Sequence, residues 1–206
     1  MHLFILYNLQ LEIINFLYKN LSKADCCVQT LYYDKTMSNL TTLSITDDSG
    51  FLAIVNADKY NSFLNEEWAM PQLFRRFVDE MNRDNLIIWS TGCENTWTVN
   101  FVNKPSNKKS FREFSKTIAV TGGQIFLTNF EDLTMSAQYE NEKIPAKHNV
   151  DLYLRLDNGI YEFKVRQLFD PTHYEHKAGD ADFEIVVQSK IKTMEQEIDR
   201  IFWQTE

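Results

Sequence analysis

Apolar and polar positions alternate along much of the chain, and the alternation changes period at a few defined places. Two short apolar runs, residues 43–46 and 51–55, flank Asp47-Asp48-Ser49-Gly50. Those four residues favour turns, so the pattern predicts a β-hairpin. Asp58 is placed to cap a helix beginning near Lys59. Leu64, Trp68, Leu73, Phe74, Phe77, Val78 and Met81 follow at helical spacing, interrupted by Pro71. An interior proline lacks an amide donor and collides with the preceding turn, so two helical pieces meeting at Pro71 are expected over 59–82.

Residues 86–90 read as a strand, and Trp97, Val99 and Phe101 alternate with Thr98 and Asn100 on the next. These two strands are expected to pair across residues 91–95. Strands resume at 118–120 and 125–127, on either side of a Gly122-Gly123 turn. The strongest alternation is later, where Val150, Leu152, Leu154 and Leu156 run up to Asp157-Asn158-Gly159 and Tyr161, Phe163 and Val165 run away from it. Asn-Gly readily takes the positive φ angles of a type I′ turn, which predicts a hairpin with one buried face and with Asp151, Arg155, Glu162, Lys164 and Arg166 turned to water. Phe183, Ile185 and Val187 predict a last strand. Ile191, Met194, Ile198, Ile201 and Phe202 then return to +3 and +4 spacing, the mark of an amphipathic helix over 191–203. Together these elements predict an α+β protein: an antiparallel β-sandwich or strongly bent β-sheet, with helices near 59–82 and 191–203 on one side or edge.

Residues 1–36 stand apart, being rich in Leu, Ile, Tyr and Asn, with zero formal charge and two of the three cysteines. Three readings compete: an amphipathic helix against the body, the same helix against a membrane surface, or an extension preceding a biological start at Met37. The last is preferred, because the patterned domain begins only at Leu40. The organisation expected is thus a weakly packed or non-native extension over 1–36 and a single β-rich domain over 37–206.

With 206 residues, 44% of them hydrophobic and 15 of them Phe, the chain is long and apolar enough to bury a core. Its formal charge of −8 argues against nucleic acid, whose phosphates require a basic face. Residues 131–184 hold 12 acids against 6 bases and so carry most of that charge. Cys26, Cys27 and Cys93 cannot all pair internally, which points to a reducing compartment. No apolar run approaches the roughly 18 residues needed to span a bilayer, and no signal sequence is legible, so a cytoplasmic location is expected.

Tests for chemistry exclude more than they find. Neither a dinucleotide-binding nor a P-loop glycine pattern can be written from the 6 glycines, and no G-x-S-x-G elbow is present. One cluster is compatible with a divalent metal: Asp170, His173 and His176, with Glu175, Asp180 and Asp182 nearby, supply carboxylate and imidazole donors on a polar connection. Cys93, in a turn after a strand, is where a nucleophile would be presented, with His148 or His173 as its base; a half-buried structural thiol is the plainer alternative. Paired acids such as Glu66-Glu67 and Glu131-Asp132 carry little information. The basic stretch 103–116, with Phe111 and Phe114 interleaved, reads as a solvated loop.

Two classes of function follow. The first is a non-enzymatic interaction protein of the inhibitor or immunity type, needing no cofactor, whose acidic face (Glu131, Asp132, Glu140, Glu142, Asp180 and Asp182) receives a basic protein such as a nuclease toxin. The second is a metal-dependent hydrolase or lyase built on residues 170–182.

Overall fold

A computed structural model describes residues 41–173, 180–191 and 196–205; the proposed extension over 1–36, Cys26, Cys27 and His176 lie outside the described residues. The expected α+β class holds. Among the described residues nine strands form two sheets, and two α-helices cover the outer face of one of them. The strands are β1 (Thr42–Asp47), β2 (Phe51–Val55), β3 (Leu86–Ser90), β4 (Asn95–Val102), β5 (Arg112–Val120), β6 (Gln124–Asn129), β7 (Tyr153–Arg155), β8 (Gly159–Gln167) and β9 (Phe183–Lys190). The helices are α1 (Met70–Asn82) and α2 (Phe130–Gln138). Strand order is β1-β4-β9-β8-β5 in the larger sheet and β3-β2-β6-β7 in the smaller. Every pairing is antiparallel except that of β4 with β9.

Why the sheets divide this way is visible in the burial of their strands. In the larger sheet, strands such as β4 alternate, with Trp97, Val99 and Phe101 buried inward and their neighbours part-exposed. These side chains meet Leu52, Ile54, Ile87, Trp89, Ile125 and Leu127 from the smaller sheet in one core. The smaller sheet is buried on its other face too: Ala53, Val55, Leu86, Ile88 and Phe126 pack against Leu73, Phe77 and Met81 of α1 and Leu133 and Ala137 of α2. A strand covered on both faces needs a continuous apolar run, and Phe-Leu-Ala-Ile-Val and Leu-Ile-Ile-Trp are such runs.

That layering corrects three expected hairpins. The two runs around residues 47–50 belong to different sheets, since β1 pairs with β4 while β2 pairs with β3 and β6. β3 and β4 are likewise in different sheets, so residues 91–94 are a corner between layers. Gly50 and Gly92 turn these two corners at φ +75° and +87°, angles that side chains disfavour. Around Asn158-Gly159, β7 joins β6 in the smaller sheet while β8 pairs with β5 and β9 in the larger. Neither Asn158 nor Gly159 has a positive φ, so no type I′ turn forms. Alternating apolar positions on both sides of a turn do not say whether the two strands share a sheet.

Two helical expectations also change. Pro71 lies in the first turn of α1, where its missing N–H costs nothing, and residues 59–69 form no helix; the helix begins at the proline instead of breaking there. Residues 196–203 of the expected terminal helix are not helical; Phe202 makes a parallel bridge to Trp89 at the open edge of β3, and residues 192–195 lie outside the described residues. The basic stretch is divided as well: β5 starts at Arg112, and Lys116 is buried against Asp84 at 3.1 Å. Arg166, expected at the surface, is buried on the outer face of the larger sheet under residues 106–108.

Candidate interaction site

α2 begins where Asn129 accepts a hydrogen bond from the Asp132 amide at 3.0 Å, and Glu131 and Asp132 place negative charge at the positive end of the helix dipole. Asp132 then turns inward and is 4% exposed. One carboxylate oxygen accepts from Asn149 Nδ2 at 2.7 Å and from Thr128 Oγ1 at 3.3 Å; the other lies 3.2 Å from His148 Nε2. Asp132 thereby clamps the 3-10 turn Lys147–Asn149 against the start of α2. A shallow cavity of about 230 Å³ opens beside this clamp, lined by Asp132, Met135, Glu142, Lys143, Lys147 and His148 among others.

The other end of α2 is crossed by the connection that precedes α1. Leu64 and Asn65 both donate their amides to the Ala137 carbonyl, at 2.8 and 3.2 Å, which brings Glu66 and Glu67 to the helix end. Just past the helix the chain turns through a bond from the Glu142 amide to the Tyr139 carbonyl at 3.0 Å, in a turn that carries Glu140 and Glu142. All four glutamates are exposed, and none of their carboxylates forms an ion pair among the described residues. Set among them are two exposed apolar side chains, Met135 at 48% and Tyr139 at 47%. A second shallow cavity, about 320 Å³, lies on the α1 side and is lined by Leu64, Pro71, Arg75, Arg76 and Asp79. Exposed carboxylates thus stand beside apolar tips at this helix end, with Lys143, Lys147 and His148 lining the adjoining cavity.

The six acids named from sequence fall into two groups. Glu131, Asp132, Glu140 and Glu142 lie on α2 or just after it, in the helix layer. Asp180 and Asp182 lie at the entry to β9, in the opposite sheet. Within the first group Glu131 is half-buried and accepts a hydrogen bond from Ser49, and Asp132 is the internal clamp, which leaves Glu140 and Glu142 facing solvent. In the second, Asp180 pairs with Lys108 at 2.8 Å, and buried Asp182 accepts the Thr98 amide at 2.8 Å, fixing the parallel start of β9 on β4. Glu66, Glu67, Met135 and Tyr139 complete the helix-end surface. The signal for α2 was present in the sequence: Asn129 followed by two acids is a helix start.

Of the three metal candidates, Asp170 and His173 approach to 3.6 Å. The Asp170 carboxylate is held mainly by Thr172, whose hydroxyl donates at 2.7 Å and amide at 2.9 Å, and these bonds draw its pKa below the usual 3.8. His173 Nδ1 also sits 2.8 Å from the Thr172 hydroxyl. Among the described residues no group of three His, Cys, Asp or Glu side chains is placed to hold a metal. Burial, with the charges of Asp47 and Asp182, pushes the Cys93 thiol above its ordinary pKa, which works against a nucleophilic thiolate. No helix among the described residues is long and apolar enough to cross a membrane.

No protein-family model and no curated protein matches the chain. Among solved structures, the chain is similar to one described as crocagin biosynthetic gene J, with 10% identity, 74% of this chain and 98% of that chain covered, and a TM-score of 0.49. It is also similar to ComJ of Bacillus subtilis, described as an inhibitor of the DNA-degrading activity of NucA, with 12% identity, 73% and 96% of the two chains covered, and a TM-score of 0.42.

Proposed function

We propose that this chain is a non-enzymatic interaction protein of the inhibitor type, and that it receives a basic protein partner at the end of α2. The observation that carries the reading is that the segments meeting at the end of α2 bear four exposed glutamates, Glu66 and Glu67 just past the bonds to Ala137 and Glu140 and Glu142 just past the helix, none in an ion pair among the described residues, and that Met135 and Tyr139 of the same region are exposed. The acids would set the rate and direction of encounter, and the apolar tips would supply the contact that slows release. The Asp132–His148 clamp has a structural part in this account: it fixes the segment that carries Glu140 and Glu142 to the helix.

The test is capture from native cell extract on the immobilised full chain, at low and high salt. A basic protein should be retained at low salt and lost at high salt, because exposed charges are screened over a Debye length of about 8–10 Å. Combined Glu66→Lys, Glu67→Lys, Glu140→Lys and Glu142→Lys should reduce capture more than tenfold without shifting the thermal midpoint by more than a few degrees. Capture that ignores both salt and charge reversal refutes the proposal.

A further inference from the structure

The two sheets have four lateral edges, and three of them are dealt with. The edge of β3 is closed by Phe202, whose carbonyl accepts the Ser90 amide at 2.9 Å. The edge of β5 is met by Asp84, whose carbonyl accepts the Ala119 amide at 2.9 Å and whose side chain binds Lys116. The edge of β7 is three residues long and carries an exposed arginine, Arg155, both of which discourage strand addition. β1 is different. It is six residues long, pairs among the described residues only with β4, and has no Pro, Gly or charged residue from Thr42 to Thr46.

The bond from the Phe101 amide to the Thr41 carbonyl, at 2.9 Å, fixes which way the β1 backbone faces. Residues 41, 43, 45 and 47 direct their main-chain groups to β4, so Thr42, Ser44 and Thr46 direct theirs outward. The Thr46 carbonyl accepts Asn129 Nδ2 at 2.8 Å. Among the described residues nothing bonds the outward main-chain groups of Thr42 and Ser44. The neighbouring hydroxyls do not cover them either, since Thr42 Oγ1 donates to Asn100 and Thr46 Oγ1 bonds Thr96 Oγ1 on β4.

We infer that this edge is a homodimer interface, in which β1 pairs antiparallel with β1 of a second copy about a two-fold axis at Ser44. An antiparallel edge is its own complement, which is what a two-fold contact requires. With Ser44 on the axis, the two Ser44 residues exchange both main-chain bonds and Thr42 of one copy faces Thr46 of the other. The Thr46 amide donates to the Thr42 carbonyl while the Thr46 carbonyl keeps Asn129; threonine pairs favour such contacts. The chain carries −8, yet these five residues carry none of it, so the two copies meet without charge against charge along the strand. A partner chosen by charge, as proposed for the α2 end, would find nothing to read here. The two sheets of the dimer become one continuous sheet.

The experiment is sedimentation velocity on the full chain at micromolar concentrations. Wild type should sediment at twice the single-chain mass of 24.3 kDa. Ser44→Pro removes an amide that points away from β4, and proline suits an edge strand, so this variant should sediment as a single chain and keep the wild-type thermal midpoint within a few degrees. Ser44→Glu places two like charges on the axis and should give the same result if the proline variant folds poorly. A wild type that remains single-chain throughout, or dimers that survive both substitutions, overturns the inference.

Discussion

Asp47→Ala is expected to destabilise the fold by about 3–5 kcal/mol, because one removed carboxylate leaves several buried donors unanswered, each costing about 1–3 kcal/mol. Asp47 is fully buried at the β1–β2 corner. It accepts the amides of Ser49 and Phe51 at 3.1 and 3.0 Å, the Thr91 hydroxyl at 3.1 Å and the Trp97 indole at 3.3 Å. It therefore joins two corners and the central tryptophan of the core. Burial nevertheless outweighs these bonds and holds its carboxyl above the usual 3.8. The folded chain thus binds this proton more tightly than the unfolded chain does. The resulting stabilisation is complete below 3.8 and is lost as pH rises through the raised folded value. Asp47→Asn, which cannot titrate, should lose less than Asp47→Ala at neutral pH, and wild type should draw further ahead of it on going to about pH 4. Urea denaturation of the three proteins at both pH values checks this; an alanine variant within 1 kcal/mol of wild type would show that the corner does not depend on Asp47.

A loss of similar size is expected on the outer face of the larger sheet. Arg166 and Glu184 are both nearly inaccessible and directly paired. Arg166 also donates to the Lys108 carbonyl at 2.6 Å and lies 3.4 Å from Glu113, while Glu184 accepts the Ser106 amide at 3.0 Å. The pair pins residues 106–108 over the sheet. Removing one member leaves a buried charge without its partner, so Arg166→Ala and Glu184→Ala should each cost about 3–5 kcal/mol. Replacing both with apolar residues, Arg166→Met with Glu184→Leu, removes the stranded charge and should cost less than either single change. Chemical denaturation of the three variants measures this coupling, and additive losses would contradict it.

The same residues show what was legible in the sequence. Alternation located β4, β8 and β9, because a strand with one face on the core carries an apolar residue at every second position, even where, as with Arg166 and Glu184, the other face is covered too. Continuous runs at 51–55 and 86–90 marked strands as well, but their meaning is that both faces are covered, and that assigns them to the inner sheet. The contrast between Leu-Ser-Ile before the 47–50 turn and Phe-Leu-Ala-Ile-Val after it is the trace of a corner between layers; turn chemistry alone reads the same as a hairpin. Pro71 was informative about a helix end and not about a kink. α2 was missed because only nine residues form it, too few for a clear period, although Asn129 and its following acids announce it.

The site was legible in part. Glu140 and Glu142 could be named from local charge, whereas Glu66 and Glu67 join them only through the bonds from Leu64 and Asn65 to Ala137, a contact between residues more than seventy positions apart. Asp132 and Asp182 sit in equally acidic sequence, yet each is buried because an amide or amide side chain answers it. Net charge does not distinguish a carboxylate that faces a partner from one that holds a turn.

Hydrogen exchange of the full chain, read peptide by peptide with and without the basic protein it captures, locates the contact on the molecule. Protection should appear at residues 64–68 and 135–148 and leave the outer face of the five-stranded sheet unchanged. Protection confined to residues 103–116 and 180–190, with none at the end of α2, would contradict the account.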